Sequence, residues 1–338
     1  MDQSQRLLNL AIRLALLAGM PVIFGLTVNH YFSQANLYAI FQAFAFLGII
    51  ALGLSVTMIA GEFDLSVAAI STVAGLITVK FGGDSASLGL LYAVIFGVVV
   101  GVANAALLPW LGVSSLVTTV GSMMFLTGVG YWLAGGRVLS YGNLDVSDFL
   151  DHNVAGIFSP RSLITIGCFV VVSLFLRFTT LGRDIYASGG HRKAAIQSGA
   201  RVGKALTVGF VISGSLSALG GGLLSLSLAT ASATMGSNIL LQAASAAIVG
   251  GVALGGGIGS PLGVAMGVLI LTVLNNGLGL LNATSTQILL VNGLLLLIVV
   301  LLDGRLGAVL SSPLARLARK KHLLQSEFCD DGEDRYAP

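Results

Sequence analysis

Two carboxylates, Glu62 and Asp64, interrupt an otherwise apolar stretch of about 40 residues, two membrane spans long. They sit in Gly61-Glu62-Phe63-Asp64-Leu65-Ser66. Charge at membrane depth is costly and marks a cavity, a partner or a function. A carboxylate pair could carry a proton or a cation, the chemistry of an ion-coupled carrier. A structural reading competes with that one. Asp64 is placed to N-cap the next helix, accepting from orphan amides at its positive end. Glu62 would then simply reach the polar interface.

A second group is basic and runs from Gly182 to Ala200. Within it His191 to Ser198 reads as a two-turn helix closed by Gly199. Such a helix on the cytoplasmic face could take force from another protein through His191, Arg192, Lys193, Ala194, Ala195, Ser198 and Gly199. The alternative is a basic loop that fixes topology and touches anionic lipid. A third group, Ile248 to Ser260, is glycine-rich but fits neither G-x-G-x-x-G nor G-x-x-x-x-G-K-[ST]. It reads as a flexible break between spans. The sequence contains no recognisable nucleotide-binding motif, no cofactor or metal ligand set, and nothing that points to nucleic acid. No histidine falls in a span beside a candidate nucleophile, which sets hydrolysis aside. Polar residues inside apolar runs are the candidate pathway lining: Gln42, Asn104, Thr118, Thr119, Gln242, Ser245, Asn275, Asn276 and Asn292. Amides and hydroxyls suit a neutral, hydroxylated solute. They equally serve as interhelical hydrogen bonds worth about 0.6 kcal/mol each.

The elements that must position these residues follow from composition. Of 338 residues, 55% are hydrophobic and 9% charged, against about 25% charged in a soluble domain. Lipid must be the main solvent. With roughly 20 apolar residues per crossing, the expectation is an all-α polytopic protein of ten spans. Their limits are 12–29, 37–60, 66–80, 88–108, 114–134, 161–178, 205–228, 239–254, 261–281 and 286–302. Two of these, 66–80 and 239–254, are short. Both termini then share a side. Placing them in the cytoplasm leaves only Lys80, Arg137 and Arg161 of the 17 basic residues outside, as the positive-inside rule requires. The membrane domain covers 1–303. A cytoplasmic tail, 304–338, starts basic and ends in the acidic run Asp330, Asp331, Glu333, Asp334, expected to be disordered. Residues 135–160 should carry structure on the outer face. Cys168 lies in an apolar run and Cys329 in the tail, so no disulfide framework is expected. Spans two to five and seven to ten occupy blocks of equal length that start on opposite sides, which predicts an inverted repeat. Asn104 and Asn275 each precede a short turn and a hydroxyl pair, Ser114-Ser115 and Ser285-Thr286. Many of the 45 glycines lie inside apolar runs, including Gly250, Gly251, Gly263 and Gly267, where small residues let helices approach closely.

Four segments in this order resemble the permease subunits of ribose-type sugar ABC importers, in the superfamily that also holds branched-chain amino-acid permeases. They are GEFDLS (61–66), GRDIYASGGHRKAAIQSG (182–199), GGVALGGGIGS (250–260) and LNNGLGLL (274–281), and the resemblance covers about 37–303. It implies two paired permease subunits, two cytoplasmic ATPase domains that dock on His191 to Gly199, and a periplasmic or lipid-tethered solute-binding protein. It implies a bacterial inner membrane and a monosaccharide moved by alternating access. A nucleoside, an amino acid or a signalling sugar is the alternative cargo. The chain departs from the family at Gly61-Glu62-Phe63, where Gly-Gly-Ile/Val is usual, and at His191, where Asn is frequent.

Overall fold

The computed structural model describes residues 3–302 except Asp84. The tail expected from 304 onward lies outside the described residues. Among those described there are thirteen α-helices and one two-stranded antiparallel ribbon.

Seven helices are long and apolar enough to cross a membrane. They are α1 (Gln3–Thr27), α2 (Gln34–Ile59), α4 (Ala86–Leu111), α5 (Ser115–Ala134), α7 (Pro160–Phe178), α10 (Val202–Ser227) and α12 (Pro261–Leu280). Three shorter apolar helices fall on the third, eighth and tenth expected spans: α3 (Val67–Phe81), α11 (Ile239–Val249) and α13 (Ser285–Leu302). Seven of the ten expected spans thus coincide with helices long enough to cross, and the other three with shorter apolar helices. The boundary expected at 254 is corrected, since α11 stops at Val249. There Gly250 packs on α12, and a Cβ on it would stand 2.4 Å from the Gly263 carbonyl oxygen.

α2 is apolar all round, and its Leu47–Ile59 stretch is buried on every face, as such a pattern demands. It shares the centre of the bundle with α10. The packing is reciprocal: α10 lies on α3 and α4, while α2 lies on α11 and α12. In both blocks the second helix is the shortest. Both features agree with the expected repeat.

Hydroxyl caps set the helix starts. Ser159 and Ser162 form a capping box on α7, with Pro160 in its first turn, and Ser260 Oγ accepts from Gly263 N before Pro261 opens α12. Thr179 ends α7 and caps α8 (Thr180–Gly190), its Oγ1 accepting from Gly182 N. The chain therefore bends there without a loop. α8 and α9 (Arg192–Gln197) form one end of the bundle, the basic face. About 39 Å away along the 26 residues of α10, the opposite face carries α6 (Leu144–Leu150) and the ribbon. In the ribbon, β1 (Leu139–Ser140) pairs with β2 (Thr230–Ala231) in register Leu139↔Ala231. The expected structure in 135–160 is thus β1, α6 and a bridge between Val154 and Phe158.

Candidate functional site

Three of the sequence segments meet at the basic face, backbone against backbone. α2 ends at Ile59, and Gly61 (φ +85°) turns the chain away. The carbonyl of Ile59 has no helical partner beyond the end of α2 and instead accepts from Gly257 N at 2.8 Å. Gly189 of α8 fills the remaining space. A Cβ on it would lie 2.0 Å from Ile59 O and 2.5 Å from Gly257 N. A Cβ on Gly256 would lie 2.6 Å from Gly61 Cα. Ser188 Oγ donates to Ala60 O at 3.3 Å, and the Tyr186 hydroxyl donates to Gly259 O at 2.9 Å. Burial pushes the Tyr186 phenol above its ordinary pKa. The segment 250–260 is therefore no free connector, as the flexible-break reading had it: Val252 is buried and the Arg13 side chain lies against Gly251.

The coupling candidates stand on this junction. His191 is the N-cap of α9, its Nδ1 accepting from Ala194 N at 3.3 Å. Ser198 is the C-cap, and Gly199 follows at φ +81°. His191, Arg192, Lys193, Ala194, Ser198 and Gly199 are exposed, while Ala195 is buried and anchors the helix. Ile196, inside the His191–Gly199 segment but not singled out there, is 59% exposed among these polar neighbours. Its apolar side chain in a short polar helix was the available signal. Glu62 pairs with Arg192 at 2.8 Å, so it ties the α2–α3 loop to α9. Asp184 and Arg201 pair at 3.3 Å across the same face.

Asp64 is fully buried. Its Oδ1 accepts from Ser66 N at 3.0 Å and Ser66 Oγ at 2.6 Å, and its Oδ2 from Ser213 Oγ of α10 at 2.8 Å. The N-cap reading is corrected: Ser66 is the N-cap of α3 and gives no side-chain cap bond. Asp64 instead closes an Asx-type turn two residues long and fastens it to α10. Asn104 of α4 donates to Ser66 Oγ at 2.9 Å and accepts from Ser122 of α5 at 2.5 Å. Ser115 and Thr119 of α5 bond the backbone of Phe63 and Leu65. No cluster of three metal-ligating side chains occurs among the described residues.

The family model described as "Branched-chain amino acid transport system / permease component" matches residues 36–300, a stretch that contains the whole junction. The chain belongs to this permease family. It is 32% identical to the ribose import permease of Bacillus subtilis, over 86% of this chain and 91% of that protein. It is 30% identical to the L-arabinose transport system permease of Escherichia coli, over 84% and 89%. It is 29% identical to an autoinducer 2 import system permease of Photorhabdus laumondii, over 90% of each. No solved structure matches it.

The permease scatters the polar residues read as pathway lining. Gln42 accepts from Ser159 Oγ at 2.9 Å and Arg161 Nη2 at 2.8 Å, and donates to Tyr38 and Asp151. Arg161 in turn pairs with Asp151 at 3.2 Å. This knot straps α7 and the α6 segment to α2, far from the junction. Thr118 bonds its own helix at Ser114 O, and Gln242 is half-buried on α11. Asn276 donates to Asn36 at 2.8 Å, whereas the Asn275 Oδ1 has no partner among the described residues. Asn292 of α13 is buried, and neither amide atom has a partner among the described residues. The permease brings Gly61, Glu62, Arg192 and the α11–α12 loop together, and separately Asp64, Ser66 and Asn104.

Proposed function

We propose that this permease is the membrane subunit of an ATP-driven monosaccharide importer in a bacterial inner membrane, with α9 as the docking element for a cytoplasmic ATPase. The observation that carries the reading is the mounting of α9. Its outer side chains are exposed, while its base is fixed to α2, α8 and the α11–α12 loop by glycine contacts, by Tyr186 and by the Glu62–Arg192 pair. A helix fixed in this way transmits a push to the spans rather than bending under it. The sugar cargo is supported by the names of the ribose and arabinose relatives. A second permease subunit completes the pore and a solute-binding protein delivers the sugar to the ribbon face. Both termini lie in the cytoplasm with α8 and α9, supported by the basic residues gathered there. The chain itself carries out no covalent chemistry.

Ala194→Glu and Ile196→Asp place charge on the exposed side of α9. Both variants should insert and fold normally yet lose co-purification with the ATPase. Retained association by both would overturn the assignment. Uptake by the purified chain alone under an ion gradient, without ATP, would establish an ion-coupled carrier instead. The engagement of Asp64 by three hydrogen bonds and of Glu62 by Arg192 stands against that carrier.

A further inference from the structure

α11 has eleven residues, about 16 Å of helix, half of a hydrocarbon core of about 30 Å. The irregular chain between β2 and α11 must cover the other half. It does so alongside α3: a Cβ on Gly236 would lie 2.4 Å from Thr72 Oγ1 and 2.6 Å from Ala68 O, and Ser225 Oγ of α10 lies 3.7 Å from Met235 Sδ. Irregular backbone at membrane depth is tolerated where it is buried in protein or lines a wet cavity. A cavity of about 200 Å³ lies here, between α3, α5 and the 233–240 segment. A single water requires only about 10–15 Å³, so the space admits a ring-sized solute.

Five hydroxyls line it: Thr72, Thr127, Tyr131, Thr234 and Ser237. The rest of the wall is alanine, glycine, methionine and leucine, with no carboxylate or cation. Thr72 and Thr127 donate to the carbonyls of Ala68 and Met123 at 2.9 and 2.7 Å, which leaves their oxygen lone pairs free to accept. Tyr131 and Ser237 make no side-chain hydrogen bond to any described residue and keep their protons to donate. The wall thus offers donors, acceptors and an aromatic face, and no countercharge for an ion. We infer that this cavity is a passage subsite for one neutral polyhydroxylated ring, on the ribbon side of the bundle. Its floor is the Gly236–Thr72 contact. Beyond that contact lies a void of about 10 Å³ bordered by Ser71, Gly221 and Met235, room for one water.

The inference rests on the function proposed above, and its test separates the two. The full complex, with Cys168→Ser and Cys329→Ser, is reconstituted with Thr127→Cys or, as a second variant, Ser237→Cys. Radiolabelled D-ribose and L-arabinose are the probes, and a polar maleimide is the blocker. Modification should lower ATP-driven uptake at least tenfold while ATP hydrolysis stays within twofold. Binding protein loaded with the transported pentose should slow labelling at least threefold during turnover. Unmodified Tyr131→Phe should lower uptake several-fold with the same selectivity. Undiminished uptake after stoichiometric labelling of both cysteine variants would overturn the subsite alone. Failure of the unmodified complex to take up with ATP either pentose, or D-galactose and D-glucose added as hexose probes, would overturn the proposed function and the subsite with it.

Discussion

Gly189→Ala is the sharpest probe of the junction, because the structure supplies both the strain and its control. The added methyl would stand 2.0 Å from Ile59 O and 2.5 Å from Gly257 N. Neither atom is the flexible end of a side chain, so backbone must move. Overpacking of this kind costs about 1–3 kcal/mol. The shift also breaks the 2.8 Å bond from Gly257 N to Ile59 O, worth about 0.5–1.5 kcal/mol. The expected total is about 1.5–4.5 kcal/mol. At tenfold per 1.4 kcal/mol, amide exchange at Gly257 should accelerate by about 10- to 1,600-fold if opening at the junction relieves the strain. Gly190→Ala is the control: a Cβ there meets nothing within 4 Å, and a change within about 0.5 kcal/mol is expected. Hydrogen–deuterium exchange of the detergent-solubilised full chain reads both variants through peptides spanning 252–260. Equal protection in the two variants would refute the claim that Gly189 is a contact point between three segments.

Tyr186→Phe should cost about 1 kcal/mol by orphaning Gly259 O. Because burial raises the folded pKa of Tyr186, the unfolded chain loses its proton first. Wild-type stability should therefore fall as pH climbs above the free phenol value of about 10, and that part of the alkaline slope should be absent from the variant in pH-resolved thermal melts. For the half-exposed Glu62–Arg192 pair, a double-mutant cycle with glutamines should give a coupling of about 0.2–1 kcal/mol that fades in high salt; no coupling at low salt would remove the tie between α9 and the α2–α3 loop. Gln42→Ala strips two acceptor contacts from the buried Arg161 and should destabilise by about 2–3 kcal/mol, seen as faster proteolysis of 144–158. Ala195→Glu buries a charge under α9 and should unfold the 180–200 region, whereas Ala194→Glu should not; equal circular dichroism and protease patterns would contradict the burial assigned to Ala195.

The sequence was most readable where lipid dictates the pattern. Apolar runs of span length, broken by charge, located the seven long apolar helices and the three shorter ones. α8 was not readable, because Gly182, Gly189 and Gly190 lower its helix propensity and its start depends on Thr179 capping one helix while ending another. The role of Asp64 was not readable either. An aspartate two residues before a helix looks like a cap, and only Ser213, distant in sequence, converts it into a tie between α3 and α10. The five hydroxyls of the cavity come from three separate elements and have no shared spacing. Each looks like an ordinary span threonine, serine or tyrosine until α3, α5 and the 232–238 segment are brought side by side.

These contacts join into one load path, and its direction matters for how a push on α9 could reach the solute. Arg192 holds Glu62, the backbones of Phe63 and Leu65 are held by Ser115 and Thr119 of α5, and the Asp64 side chain is held by Ser213 of α10. Ser66, held by Asp64 and Asn104, opens α3. Thr72 lies on that same helix less than two turns further on and forms the floor of the cavity with Gly236. A displacement of α9 along this path would move α3 against the 232–238 segment, whose approach depends on the missing side chain of Gly236. Gly236→Ala should therefore uncouple ATP hydrolysis from uptake: the methyl forces the segment from Thr72 without touching α9, so the ATPase should dock and turn over as in the wild type while accumulated sugar falls several-fold. Accumulation equal to wild type at an unchanged hydrolysis rate would break the path at its last joint.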